Sequence, residues 1–187
     1  MKDLSRRKRI RLPGDIYHQG YAFSITITTY QRYPWFGLYP ELASMAMELL
    51  PQMVKARHAV CFSWCIMPDH LHLLLQDRDV IGFARVFKGR LTPEARRLEH
   101  GRLLWQRSFY DHALREAESL GDVALYIWEN PVRAGIIACA SAYPWSGSLA
   151  WPNWRELLGA DTGGDKPQGG DKPHKRSLKG VVFKIIM

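Results

Sequence analysis

The chain has 187 residues, 47% of them hydrophobic, and a formal net charge of +8: enough length for one domain with its own core, and a charge that makes a polyanion the first partner to consider. No uninterrupted apolar run approaches the length of a membrane span, and no apolar stretch follows the basic N-terminus, so the expectation is a soluble, cytoplasmic protein without membrane association. Three cysteines, Cys61, Cys65 and Cys139, make no disulfide framework and suit a reducing compartment.

Residues 1–12 form a basic arm, with six basic side chains against one acidic in the first eleven residues and Arg6, Arg7, Lys8 and Arg9 at its centre. Tyr21 to Thr29 (YAFSITITT) alternates and is rich in β-branched residues, which predicts a strand. Pro40 to His58 repeats its apolar residues at helical spacing, with Pro51 as a point where the helix can kink. Val60 to Met67 reads as a second strand, Pro68-Asp69 breaks it, and His70 to Gln76 is a third. The pair is either a hairpin or one bulged strand. Val80 to Leu98 is a basic amphipathic helix that Gly89 or Pro93 can interrupt. It lies in a stretch, 78–107, with eight basic residues and three acidic ones. Leu103 to Phe109 suggests a short edge strand. Leu114 to Glu129 is a helix with Val123, Tyr126, Ile127 and Asn130 at helical spacing, ended near Asn130 by Pro131. From residue 159 the chain becomes a Gly-rich basic tail with a repeated GGDKP unit, read as flexible. Strands alternating with helices around one antiparallel pair point to an α+β sandwich, with residues 13–158 as its domain.

The stretch MPDHLHLLL (67–75) carries the chemistry. Side chains alternate along a strand, so His70 and His72 converge on one face while Leu71 and Leu73 pack on the other. Two neutral imidazoles side by side are metal ligands in waiting, or else half-exposed strand residues. A third ligand is then needed. Cys61 and Cys65, read as sharing a face, would give a loose zinc pattern, but their spacing matches no common finger and small buried apolar residues is the simpler reading. Tyr126 and Asn130, four apart on one helix face, offer a phenol nucleophile and an amide oxygen ligand, or else a core tyrosine and a helix stop. Tyr110, beside Asp111 and His112, is a rival nucleophile. His112 and Arg115 are candidates for orienting the site or for a polar cluster before the helix, and Arg133 for a helix-end cation or a phosphate contact. Trp35, Trp105, Trp145 and Trp151 are either core or stacking surfaces for unpaired bases.

Four stretches in order, MPDHLHLLL (67–75), LWQRSFYDHALR (104–115), YIWENPVRAG (126–135) and YPWSGS (143–148), together resemble the REP-associated tyrosine transposases of the HUH single-strand transposase superfamily. The resemblance runs from about Pro13 to Ser148. It implies a ferredoxin-like sandwich with the histidines on a central strand and the tyrosine on a facing helix. It implies that His70, His72 and Asn130 hold a divalent metal, Mg²⁺ or Mn²⁺, where related transposases carry glutamine at the place of Asn130. It implies that Tyr126 nicks and rejoins single-stranded DNA through a 5′-phosphotyrosine link, as a DNA endonuclease and strand transferase without a nucleotide cofactor. The implied partner is a hairpin formed by a repetitive extragenic palindrome. Arg6, Arg7, Lys8, Arg9, Arg85, Lys88, Arg90 and Arg133 are the candidate DNA contacts, with His112 and Arg115 in support. Monomer and dimer are both compatible with the family, and the Gly-rich tail matches none of its motifs.

Two other classes compete. One is a catalytically silent protein that binds hairpin or single-stranded DNA sequence-specifically on the same fold, without needing metal or Tyr126. The other is a zinc-stabilised nucleic-acid module built on Cys61 and Cys65, which chelation would unfold.

Overall fold

The computed structural model describes residues 21–114 and 119–159. The basic arm with Arg6, Arg7, Lys8 and Arg9, the tail from residue 160, and Arg115 lie outside the described residues. The first strand, β1 (Phe23–Thr28), alternates buried Phe23, Ile25 and Ile27 with half-buried Ser24, Thr26 and Thr28, the pattern expected of a strand with one face packed on a core. A tight turn at Tyr30–Arg32 and a short helix α1 (Trp35–Leu38) lead into α2 (Pro40–Arg57), where Pro40 occupies the first turn and the helix continues through Pro51.

Strands β2 (Val60–Met67) and β3 (His70–Gln76) form a hairpin joined by Pro68-Asp69, with Met67 opposite His70. The helix α3 (Val80–Leu98) is unbroken through Gly89 and Pro93, and the Asp79 carboxylate caps it by accepting from the Gly82 N–H at 2.8 Å. The edge pairing begins as a single bridge between Trp105 and Thr29, but the ladder proper is β4 (Tyr110–Ala113). The edge strand expected at Leu103–Phe109 is therefore displaced. Its apolar residues Leu104 and Phe109 are buried in the core rather than paired in a ladder. Helix α4 (Leu120–Trp128) is capped by Ser119 and ends as expected before Asn130, which opens a separate turn, α5 (Asn130–Arg133). A two-residue strand β5 (Ser146–Gly147), not foreseen from the sequence, and α6 (Trp154–Gly159) complete the described chain.

All pairings are antiparallel and the strand order is β4-β1-β3-β2-β5. The first four strands with α2 and α3 have the ferredoxin-like order, so the expected α+β sandwich is the fold found. Its two faces carry separate cores. On one, Phe23, Ile25, Ile27, Leu71, Leu73 and Leu75 meet the buried sides of α2 and α3. On the other, Cys65, Met67 and Leu74 meet Ala124, Leu125, Ile127 and Trp128 of α4, backed by Trp151 and Trp154.

Cys61 and Cys65 do not share a face. Four residues apart in a regular strand they would, but a bulge opposes both Phe62 and Ser63 to the β3 partner Leu74 and shifts the pleat by one. Cys61 therefore lies in the α2/α3 core and Cys65 in the α4 core. Among the described residues no helix is long and apolar enough to cross a membrane.

Candidate active site

The register of β3 decides where the histidines point. Leu74 belongs to the α4 core and Leu71, Leu73 and Leu75 to the other, so His70 and His72 face the α4 side of a central strand. Their Nε2 atoms are 3.0 Å apart and the rings meet edge to face, with centroids separated by 4.7 Å. Each Nδ1 is occupied. That of His70 lies 2.5 Å from Asp69 Oδ1, and that of His72 lies 3.0 Å from Thr26 Oγ1 on the neighbouring strand.

The proton positions follow from the partners. A carboxylate only accepts, so His70 donates from Nδ1. Burial works to raise the Asp69 carboxyl, but hydrogen bonds and charge from His70 and Arg32 outweigh it and hold the group below its usual range. His72 is kept neutral. Burial first, then the positive charges of His70, Arg133 and Arg32, push its proton affinity down to about 3. The Thr26 hydroxyl both donates and accepts, so His72 can carry its ring proton on either nitrogen. Two nitrogens about 3 Å apart, each with its back atom held, match adjacent ligands on one cation at bonds of about 2.1 Å, and the oriented back atoms are what a metal-binding imidazole requires.

Among the described residues no group of three His, Cys, Asp or Glu side chains could hold a metal ion. Among the described residues a third protein ligand would have to be of another type, such as the amide of Asn130. Its Nδ2 donates to the carbonyls of Tyr126 and Ile127, both at 3.2 Å, so its oxygen is the atom left for a cation. The paired cysteines fit no such role, because they stand in different cores and burial pushes both thiols up to about 12.

Tyr126 is not a core tyrosine. Its neighbours Leu125 and Ile127 are buried, whereas its own side is 58% exposed, and the Arg133 guanidinium lies 3.8 Å from its ring centre. Arg133 Nη2 also donates to the Tyr126 carbonyl at 2.6 Å, so α5 folds back on the end of α4. The charge of Arg133 acts on His72, which brings this corner within electrostatic reach of the histidines. Tyr110, 61% exposed, reaches the same sheet face by another route: Tyr110, Thr26 and His72 stand opposite one another across β4, β1 and β3. The next row carries His112, Ser24 and Leu74.

The other predicted contacts are distributed differently. Arg85 and Arg90 are exposed on α3, on the opposite side of the sheet from the histidines. Lys88 reaches back to the carbonyls of Gln106 (2.5 Å) and Arg107 (3.3 Å), which fixes the segment leading to the edge strand. Trp35 and Trp151 are core, and Trp105 and Trp145 are partly buried against it. The sequence reading missed Asp69, Thr26 and Arg32. For Asp69 a signal existed, an acid beside a histidine. Thr26 is brought to His72 by strand register, which composition does not reveal.

No family model matches the chain. It is 33% identical to a Haemophilus influenzae protein provisionally named as a REP-associated tyrosine transposase, over 44% of this chain and 54% of that one. It is 30% identical to the REP-associated tyrosine transposase of Escherichia coli K12, over 45% of this chain and 51% of that one. The aligned part thus spans about half the length of these curated relatives. Among solved structures, a REP-associated tyrosine transposase bound to a REP hairpin superposes with a TM-score of 0.57, at 22% identity, covering 78% of this chain and 82% of that one. In sequence through part of its length, and in fold through most of it, the chain is similar to the REP-associated tyrosine transposases.

Proposed function

We propose that the protein nicks and rejoins single-stranded DNA at hairpins formed by repeated palindromes, with Tyr126 as the nucleophile. The observation that carries this reading is the convergence of His70 Nε2 and His72 Nε2, 3.0 Å apart, on the sheet face that α4 covers. The names of the relatives and the hairpin bound to the structural neighbour support hairpin DNA as the substrate class. Tyr126 Oη attacks a phosphorus atom, the bond from phosphorus to the 3′ oxygen breaks, and the departing strand leaves with a 3′-hydroxyl while the 5′-phosphate stays on the tyrosine. Because the phosphodiester energy is kept in that link, attack by a second 3′-hydroxyl reseals DNA and returns the phenol without a nucleotide cofactor.

Residues His70, His72 and Asn130 would hold a divalent cation, Mg²⁺ or Mn²⁺. When bound, the cation polarises the phosphodiester and offsets the charge that builds up on its oxygens. The chain's own part is to keep the His72 imidazole neutral and both rings aimed, to carry the phenol on the exposed side of α4, and to place the Arg133 charge against that phenol. Arg85 and Arg90 take phosphates on the α3 side, and the arm residues Arg6, Arg7, Lys8 and Arg9 add sequence-independent attraction.

The test uses a labelled hairpin oligonucleotide from a host palindrome with single-stranded flanks, incubated with protein and Mn²⁺ and resolved on a denaturing gel. A covalent adduct from wild type, absent in Tyr126→Phe and in EDTA but retained in Tyr110→Phe, is the expected result. Loss in Tyr110→Phe alone would move the nucleophile to β4, whose register with His72 makes it the second reading. Tight hairpin binding with no adduct under any metal would leave a silent binding protein.

A further inference from the structure

We propose that Arg32 is a positioning residue for the histidine pair: it pins the Asp69 carboxylate, and Asp69 in turn fixes the ring orientation and tautomer of His70. The contacts form an unbroken relay. Arg32 Nη1 donates to Asp69 Oδ2 at 3.1 Å, Asp69 Oδ1 accepts from His70 Nδ1 at 2.5 Å, and His70 Nε2 faces His72 Nε2 at 3.0 Å. With one carboxylate oxygen on each partner, Asp69 cannot rotate without losing one of them.

An exposed ion pair is usually worth little, and the Arg32 side chain is 65% exposed. The surrounding backbone argues that this one is built. Gln31 and Arg32 are consecutive non-glycine residues in the left-handed region, with φ of 52° and 54°. Such conformations are unfavourable and persist where the surroundings over-determine them. No residue of the Tyr30–Arg32 turn is buried, so core packing does not offset the strain.

What the turn does gain is a fixed place against Asp69. Buried Thr29 donates to the Asp69 carbonyl from its N–H at 3.0 Å and from its hydroxyl at 2.8 Å, and the hydroxyl also reaches the Tyr33 carbonyl at 2.8 Å. Arg32 N–H closes the turn onto Thr29 O at 3.2 Å. The strained turn and the β2–β3 hairpin are thus held at both backbone and side chain, and the guanidinium is delivered to the carboxylate that backs His70.

The inference rests on the proposed function only for its metal arm. The test therefore has two readouts on full-length protein. Long-range ¹⁵N–¹H correlation spectra of the histidine rings, recorded without metal, report the His70 tautomer. An EPR titration reports Mn²⁺ affinity. Wild type is expected to show His70 protonated at Nδ1 only. Arg32→Ala is expected to mix the tautomers and weaken Mn²⁺ three- to tenfold, Arg32→Lys to restore much of both, and Asp69→Asn to weaken Mn²⁺ about 10- to 100-fold, as loss of an outer partner does elsewhere. Thermal melts of each variant check that the fold persists.

An unchanged tautomer and unchanged Mn²⁺ affinity in Arg32→Ala would overturn the proposal. So would a loss confined to hairpin affinity in EDTA with a flatter salt dependence, which would make Arg32 a phosphate contact instead. If wild type binds no Mn²⁺, the metal reading fails, and the tautomer spectra still decide the relay.

Discussion

Arg133 lays its guanidinium 3.8 Å from the ring centre of Tyr126 and at the same time donates to that residue's own carbonyl, so one side chain holds both the phenol and the turn that carries it. A flat cation against the ring favours the developing phenolate and sets the ring's direction. Arg133→Ala is therefore expected to slow adduct formation 10- to 100-fold while weakening hairpin binding less than about fivefold. Arg133→Lys keeps the charge but not the stacking plane, and should recover binding more fully than adduct formation. Equal losses in binding and adduct would reduce Arg133 to a simple phosphate contact.

The neutrality of His72 has a price in acid. Burial, seconded by the charges of His70, Arg133 and Arg32, lowers its proton affinity in the fold from 6.5 to about 3. Below about pH 6.5 the unfolded chain takes up a proton that the native protein refuses. The stability His72 contributes is thus complete above that pH and fades as pH falls towards 3, by at most about 5 kcal/mol. Urea titrations across this range should show a shallower acid decline for His72→Gln than for wild type. Parallel curves would mean that His72 is protonated in the native state.

Cysteine labelling separates the proposed nuclease from a zinc-stabilised module. Burial pushes the thiols of Cys61 and Cys65 up to about 12, and both are enclosed, whereas Cys139 is exposed. A thiol reagent at pH 8 is expected to modify Cys139 alone in the native protein and all three residues in guanidinium. EDTA is expected to abolish adduct formation without moving the melting temperature. A chelator that unfolds the protein would restore the structural zinc reading.

Gly147 on β5 leaves no room for a side chain. A Cβ there would come within 2.1 Å of the Trp64 indole, while the residue's carbonyl accepts from Trp128 Nε1 at 3.0 Å. Gly147→Ala should cost about 2–3 kcal/mol in chemical denaturation by forcing the Trp64 indole out of its place. A loss below about 0.5 kcal/mol would show that Trp64 can move aside freely.

The two strands β2 and β3, the facing of His70 and His72, and the long helix α3 were legible because period-two and period-3.6 patterns report directly on which side chains share a surface. The choice between a hairpin and one bulged strand is settled only by the pairing. Pro51, Gly89 and Pro93 failed to break their helices because burial of Leu50, Met53, Leu91 and Ala95 holds both helices in place across those positions. The displaced edge strand reflects the same limit: Leu103 to Phe109 supplies core residues from an irregular segment, and apolar character alone does not distinguish that from a ladder. The support for the histidines was hidden for a different reason. Thr26 and Arg32 are distant in sequence from His70 and His72, and only strand register and a left-handed turn bring them there.

The extra residue in β2 also governs which length changes the strand can survive. Phe62 and Ser63 both stand opposite Leu74, so the chain on either side of them keeps its facing if one of the two is lost. Deleting Phe62 would empty a place beside Trp151, yet Trp64 would still face α2 and α3, and Cys65 would still lie opposite His72. A deletion at Trp64 or Ile66 has no such refuge. It would turn over the end of the strand that pairs with His70 and His72, sending Met67 from the histidine face into the other core. Of all the positions in β2, the bulge is where natural variants of the chain can shorten without scrambling the site.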